Sequence, residues 1–219
     1  MDKFLAKLDK SIWGISIYFI LGAIVLVNSC GTSFVDDSLE WIVSYKKFGW
    51  NDFWHSYDMT SVYWFHDFFS NIMYLIFGKN NHAWFYVILF FHTTACYYFY
   101  RFLKNVFEYN QRVYSNLIAF NASMIFMFGA YNTENLFWIA TYHYEITIVY
   151  LMICLFIISE NKGLLSKIQL IGMLIPFPFM LTMHEISFFF SIVFQCAVKC
   201  LPTSPCMSSS GFLLTNLSV

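Results

Sequence analysis

Six stretches of the chain, residues 12–27, 83–102, 114–131, 145–159, 168–183 and 186–198, are apolar almost throughout and show no polar alternation. A strand facing lipid on one side alternates with a period of two, so continuous runs predict helices rather than a barrel. Their lengths approach the roughly 20 residues needed to cross a bilayer. We expect an all-α, polytopic transmembrane bundle of about six spans.

A seventh apolar stretch, 62–77, is interrupted by His66, Asp67, Ser70, Asn71 and Tyr74. Of these, Asp67, Ser70, Asn71 and Tyr74 fall at i, i+3, i+4 and i+7, on one helix face. A helix with one polar stripe is expected to lie along the membrane interface, with a crossing helix as the alternative. Ahead of it, Asp37-Ser38-Leu39-Glu40 has a capping pattern and opens an amphipathic helix with Leu39, Ile42 and Val43 on one side. Gly78-Lys79-Asn80-Asn81 predicts a turn. Pro176 and Pro178 predict a kink within 168–183.

Composition sharpens the class. Apolar residues make up 59% of the 219, charged residues 11%, and the mean hydropathy is +0.58. A soluble domain is about 25% charged, so the excess apolar surface must find lipid, where helices satisfy their own backbone. The 27 Phe, 15 Tyr and 7 Trp suit the headgroup zone, and membrane lipid is the first expected partner. With a net charge of −1 and no basic patch, no nucleic-acid partner is expected. Six cysteines show no metal-ligand spacing; Cys196 and Cys200 lie one helical turn apart but lack a second ligand pair.

Charge sets the orientation. Lys3, Lys7 and Lys10 precede the first apolar stretch, and Val27-Asn28-Ser29-Cys30 resembles a lipoprotein cleavage site. Because further spans follow, we read an uncleaved signal-anchor with a cytoplasmic N-terminus. Alternation then places Arg101, Lys104, Arg112, Lys162, Lys167 and Lys199 inside as well, leaving Lys46, Lys47 and Lys79 outside. The later alternation was not imposed by the N-terminal lysines, so it supports the same topology independently. Outside fall 30–82, 132–144 and the pair His184-Glu185. The tail 201–219 changes texture to Pro, Ser, Thr and Cys; it completes no span and reads as truncation or a shifted reading frame.

The acids then gather on the outer side: Asp36, Asp37, Glu40, Asp52, Asp58, Asp67, Glu134, Glu145 and Glu185. With His66, His143 and His184, several sit at the outer ends of separate spans or in outer loops. Ionisable groups at membrane depth usually face a protein interior or a wet cavity. Converging carboxylates could act as a general base or hold a divalent cation, Mg or Mn. Blander roles compete at each position. Asp36-Asp37 would cap the next helix, His66-Asp67 would form a solvated stripe, and Glu134 would be a loop charge. His184-Glu185, set between two apolar runs, is harder to explain structurally. His55, His82 and His92 read as lone structural histidines.

A Lys-flanked span, an outer loop opening with Asp36-Asp37, helices ending in Leu75-Ile76-Phe77-Gly78 and alternating aromatic spans together resemble the GT-C superfamily of integral-membrane glycosyltransferases. Glu134-Asn135-Leu136-Phe137-Trp138 followed by Tyr142-His143-Tyr144 resembles the outer-loop pattern of a bacterial branch of that superfamily. The resemblance covers roughly residues 10–200. It implies transfer of a sugar from a polyprenyl-phosphate carrier, with inversion, on the outer side of the bacterial plasma membrane. The family's acidic pair corresponds to Asp36-Asp37, one carboxylate serving as acceptor base or metal ligand. On this reading Lys46 and Lys47 meet the donor phosphate, and His66, Asp67, Glu134, His143, His184 and Glu185 border the substrate; the alternative for Lys46-Lys47 is contact with anionic headgroups. Members of the family commonly have more spans and a C-terminal outer domain, so the isolated chain is not expected to turn over. Two further classes stay open: a transporter-like subunit, which charged mid-span residues would favour, and a non-catalytic assembly protein for cell-surface polysaccharide.

Overall fold

The computed structural model describes residues 11–26, 64–110, 114–129, 142–161 and 165–178. Its regular structure there is entirely helical: α1 (Ser11–Leu26), α2 (Trp64–Phe77), α3 (Asn81–Tyr109), α4 (Ser115–Phe128), α5 (Tyr142–Glu160) and α6 (Lys167–Leu174).

The 29 residues of α3 make it the axis of the bundle, roughly 43 Å long at about 1.5 Å per residue. It has no Gly or Pro, and Asn80 caps its start, accepting from the Ala83 N–H at 3.2 Å. The chain enters from α2 through Gly78, whose φ of +54° is the left-handed conformation that glycine adopts without strain. The Gly78 N–H closes onto the Tyr74 carbonyl at 2.7 Å, and Trp84 Nε1 donates to the Gly78 carbonyl at 3.1 Å. The predicted turn is thus present at 78–80, with Asn81 already helical.

Pairings along α3 give the directions of its neighbours. Tyr18 packs on Tyr97 and Tyr100 while Phe19 packs on Phe90, so α1 runs antiparallel to α3. His92 meets Met127 while Tyr100 meets Phe120, so α4 is antiparallel too. His92 meets Glu145 while Asn105 meets Ser159, so α5 runs parallel to α3. The order α1, α3, α4, α5 therefore alternates in direction. Between α1 and α4 the Tyr18 hydroxyl bonds Ser123 Oγ, and Ser123 in turn donates to the Phe120 carbonyl. Gly22 permits the closest approach, because a Cβ there would stand 2.7 Å from Thr93 Cγ2.

Three apolar clusters fill the bundle. Leu26, Met73, Trp84, Phe85, Ile88, Leu89 and Tyr142 pack around the first half of α3. Tyr18, Cys96, Tyr97, Tyr100, Ala119 and Met127 pack around its second half. Cys154, Ile158 and Met173 join α5 to α6.

Several expectations shift. The stretch 62–77 is helical from Trp64, and its polar stripe turns toward protein at Ser70, which is 7% exposed and bonded to the Tyr142 hydroxyl at 2.6 Å. Its outward side instead carries Leu75 and Ile76, 65% and 64% exposed. The expected kink falls at a turn: α6, opened by a Ser166–Gln169 capping box, ends at Leu174, and helical backbone resumes at residues 177–178. Pro176 has no N–H to give the Gly172 carbonyl, and residues 175–176 form a turn. By length and composition α5 is the one described helix able to cross a bilayer. Over the described residues, α1 and α4 cover 16 and 14 residues, roughly 24 and 21 Å against the ~30 Å hydrocarbon core. The expected stretch 186–198, the helix opening at Asp37 and the tail 201–219 lie outside the described residues.

Candidate functional site

The polar centre that the bundle assembles is a buried pair that the sequence does not bring together. His92 sits midway along α3 and Glu145 in the first turn of α5, each 1% exposed. His92 Nδ1 lies 3.0 Å from Glu145 Oε2, and His92 Nε2 lies 3.1 Å from the Met127 carbonyl oxygen. One imidazole thus links three helices. The Phe126 ring stacks on it at 6.1 Å, tilted by 18°. Cys96, one turn further along α3, is fully buried and its thiol adjoins the imidazole.

Above the pair, α2 covers the start of α5. Phe69 stacks on Tyr142 at 5.6 Å, Trp84 meets the same ring edge-on at 6.2 Å, and Ser70 holds its hydroxyl. The opposite end of the bundle is ionic. There Arg101 donates to the Tyr97 hydroxyl at 2.9 Å, lies 4.7 Å over the Phe156 ring and faces Glu160 at 3.7 Å. Lys104 pairs with Glu108 at 3.8 Å, and Asn105 donates to Ser159 at 3.0 Å. Lys79, in the α2–α3 turn, stands at the other end from Arg101 and Lys104.

Of the sequence-predicted site, His143 is described and lies elsewhere than expected. Because α5 begins at Tyr142, His143 is helical and 7% exposed, packed beside Tyr144 with ring centres 4.2 Å apart, not an outer-loop residue. Glu145, expected on the outer side at the start of its span, lies in the first turn of α5 with its side chain inside the bundle. The helix starts three residues before the expected boundary, which carries Glu145 inside and supplies its partner. His92, expected to be a lone structural histidine, is that partner. Asp36, Asp37, Lys46, Lys47, Glu134, His184 and Glu185 lie outside the described residues. His66 and Asp67 are on the backbone of α2, and their side chains are outside the description. Among the described residues no three His, Cys, Asp or Glu side chains converge as a metal site; the expected divalent cation belongs with Asp36-Asp37, outside them.

One sequence signal did mark the pair. His92 stands inside an apolar stretch, where an ionisable group is costly unless partnered. No family model, curated protein or solved structure matches the chain.

Proposed function

We propose that the chain is a multi-pass protein of the bacterial plasma membrane, N-terminus inside, that handles a polyprenyl-phosphate-linked sugar on the outer side. Membrane residence is supported by one observation above others. Helices alternating in direction carry large apolar side chains outward: Ile20 and Ile24 on α1, Leu75 and Ile76 on α2, Ile125 on α4, Ile171 and Leu174 on α6. Soluble monomers rarely expose contiguous apolar surface on this scale. In the proposed topology the Lys79 turn is outside and the Arg101–Glu160 end inside, and the spans number six with 186–198. A thiol-reactive, membrane-impermeant label tests it. Lys79→Cys is labelled in intact cells and Tyr109→Cys only after permeabilisation; the reverse pattern defeats the topology and the outer site with it.

Sugar transfer rests on the resemblance and on the outer carboxylates. Asp36 or Asp37 deprotonates the acceptor hydroxyl or holds Mg or Mn, while Lys46 and Lys47 meet the phosphate. Asp37→Asn abolishes transfer while sparing donor binding, and joint Lys46→Ala and Lys47→Ala weakens donor binding. Unchanged turnover in both Asp36→Asn and Asp37→Asn removes the support for an enzyme.

A specific observation favours a second reading, a transporter-like subunit. The His92–Glu145 pair lies within the bundle, where charged groups of a proton or cation path would lie. Loss of proton-coupled uptake in Glu145→Gln, with Asp37→Asn unaffected, selects this reading over transfer.

A further inference from the structure

Both ring nitrogens of His92 face acceptors. The Met127 carbonyl has no proton to give, so Nε2, 3.1 Å away, carries a hydrogen and donates it. A neutral imidazole protonated there presents a bare lone pair at Nδ1, toward Glu145 Oε2 at 3.0 Å. An ionised carboxylate facing that lone pair is repulsive, and both groups are 1% exposed. The contact is satisfied only with one more proton between the two atoms. Either an imidazolium donates to a carboxylate, or a carboxylic acid donates to an imidazole. The two forms contain the same protons and the same zero net charge.

We propose that His92 and Glu145 form a proton-binding site at the junction of α3, α4 and α5, holding one exchangeable proton that joins the three helices. The proton sits on the Nδ1–Oε2 line. When a base removes it, the pair's net charge changes from zero to −1, and a buried carboxylate is left against a lone pair. The site stands on this geometry alone and holds under either reading of the protein's activity.

Among the described residues, the titratable groups next to the pair on each packed helix are as follows. On α3 the adjoining titratable group is the Cys96 thiol, which as a thiol carries no charge. On α4 the ring faces the Met127 carbonyl and the Phe126 ring. On α5 the neighbouring titratable groups are Tyr142 and His143, in the turn before Glu145. On α1 the titratable group is Tyr18, whose hydroxyl is engaged by Ser123.

Counting protons gives the readout. In the unfolded chain glutamate and histidine titrate near ~4.3 and ~6.5, so the separated pair holds one exchangeable proton between those values and none above. The folded pair holds one throughout. Between the two values the site adds no pH dependence. Above about pH 6.5 folding takes up a proton, and the folding equilibrium falls about tenfold per pH unit until the folded pair releases it.

The experiment compares unsubstituted protein with Glu145→Gln, purified in detergent micelles, by denaturant unfolding from about pH 5 to about pH 9. A glutamine amide donates to Nδ1 and leaves the Nε2 bond intact, with no exchangeable proton. Stability of the unsubstituted protein relative to the variant should fall about tenfold per unit across the whole range: below about pH 6.5 because unfolding of the variant takes up a proton on His92, and above it because folding of the unsubstituted protein takes one up. Parallel pH profiles overturn the site. If Glu145→Gln does not fold, ¹⁵N spectra of histidine-labelled protein decide, with the His92 signals identified by their loss in His92→Gln. Above about pH 7.5, where a free histidine is neutral, Nδ1 should still share a proton. A neutral His92 with a bare Nδ1 beside an ionised carboxylate overturns the proposal.

Discussion

Replacing Gly22 by alanine tests how closely α1, α3 and α4 are packed. The new Cβ would stand 2.7 Å from Thr93 Cγ2, 3.3 Å from Leu89 Cδ1 and 3.9 Å from Met127 Sδ. Carbon pairs are at rest near ~3.5–4.0 Å, so the first contact must open by roughly 1 Å. Thr93 cannot easily turn away, because its hydroxyl donates to the Leu89 carbonyl at 2.8 Å and reaches the Phe90 carbonyl at 3.2 Å. Either that bond breaks or α1 retreats. Overpacking of this kind costs about 1–3 kcal/mol, and the helix propensity gained on replacing glycine offsets about 1 kcal/mol of it.

Gly172, on α6, supplies the control, since a Cβ there meets nothing within 4 Å. Gly172→Ala should gain the propensity without the clash. The difference between the two variants, about 1–3 kcal/mol, isolates the packing contribution. At about 2–4 °C per kcal/mol for a chain of this size, their melting temperatures should separate by roughly 2–12 °C, Gly22→Ala the lower. Thermal denaturation followed by circular dichroism in micelles reads this directly. If Gly22→Ala is stabilised as much as Gly172→Ala, the close contact of α1 with α3 is wrong.

Ser70→Ala removes the bond that ties α2 to Tyr142 and should cost about 0.5–1.5 kcal/mol in the same melts, with little further loss when Tyr142→Phe is added. Asn80→Ala removes the α3 cap and should cost about 0.5–2 kcal/mol, with faster hydrogen exchange confined to the first turn of α3. Glu160 is 55% exposed, so Glu160→Gln should change stability by no more than about 1 kcal/mol, and less in high salt. Arg101→Ala should cost more than Glu160→Gln, because it also removes the contacts with Tyr97 and Phe156.

Helices were legible from apolar runs, and their ends were legible where the backbone itself changes. The first stretch, 12–27, is observed as Ser11–Leu26, and the Gly78 turn falls where glycine allows it. The end of α3 was not legible. Arg101 and Lys104 mark where the chain becomes polar, and the expected stretch stops there, yet the helix continues to Tyr109. Hydropathy reports the surroundings of a helix and not its hydrogen bonds, and these cations are paired with Tyr97 and Glu108 along the helix and with Glu160 at the end of α5. The stripe on α2 failed differently. Ser70 on that stripe is buried with a partner in Tyr142, Asn71 and Tyr74 are half-buried, and Leu75 and Ile76 face out. A polar stripe faces water only if water is what surrounds the helix.

The pairing of His92 with Glu145 was hidden by register. Matching depths along the sequence fails, because His92 lies roughly 17 Å below the start of α3 and Glu145 only about 5 Å below the start of α5, at ~1.5 Å per residue. The two helices begin at different heights. The first turns of α3 project beyond α5, and α2 packs on that projection, with Met73 in one cluster with Trp84 and Phe85. Alternation of spans orients α5 parallel to α3, but it does not say that they touch across the intervening α4, nor how far one is displaced along the other. Both follow from side chains: Tyr98 on Phe156 at one level, Asn105 on Ser159 at a lower one, and His92 on Glu145 above them. Once that register is fixed, a histidine inside an apolar stretch and an acid at the edge of another stop being separate curiosities. Each is the reason the other can be buried.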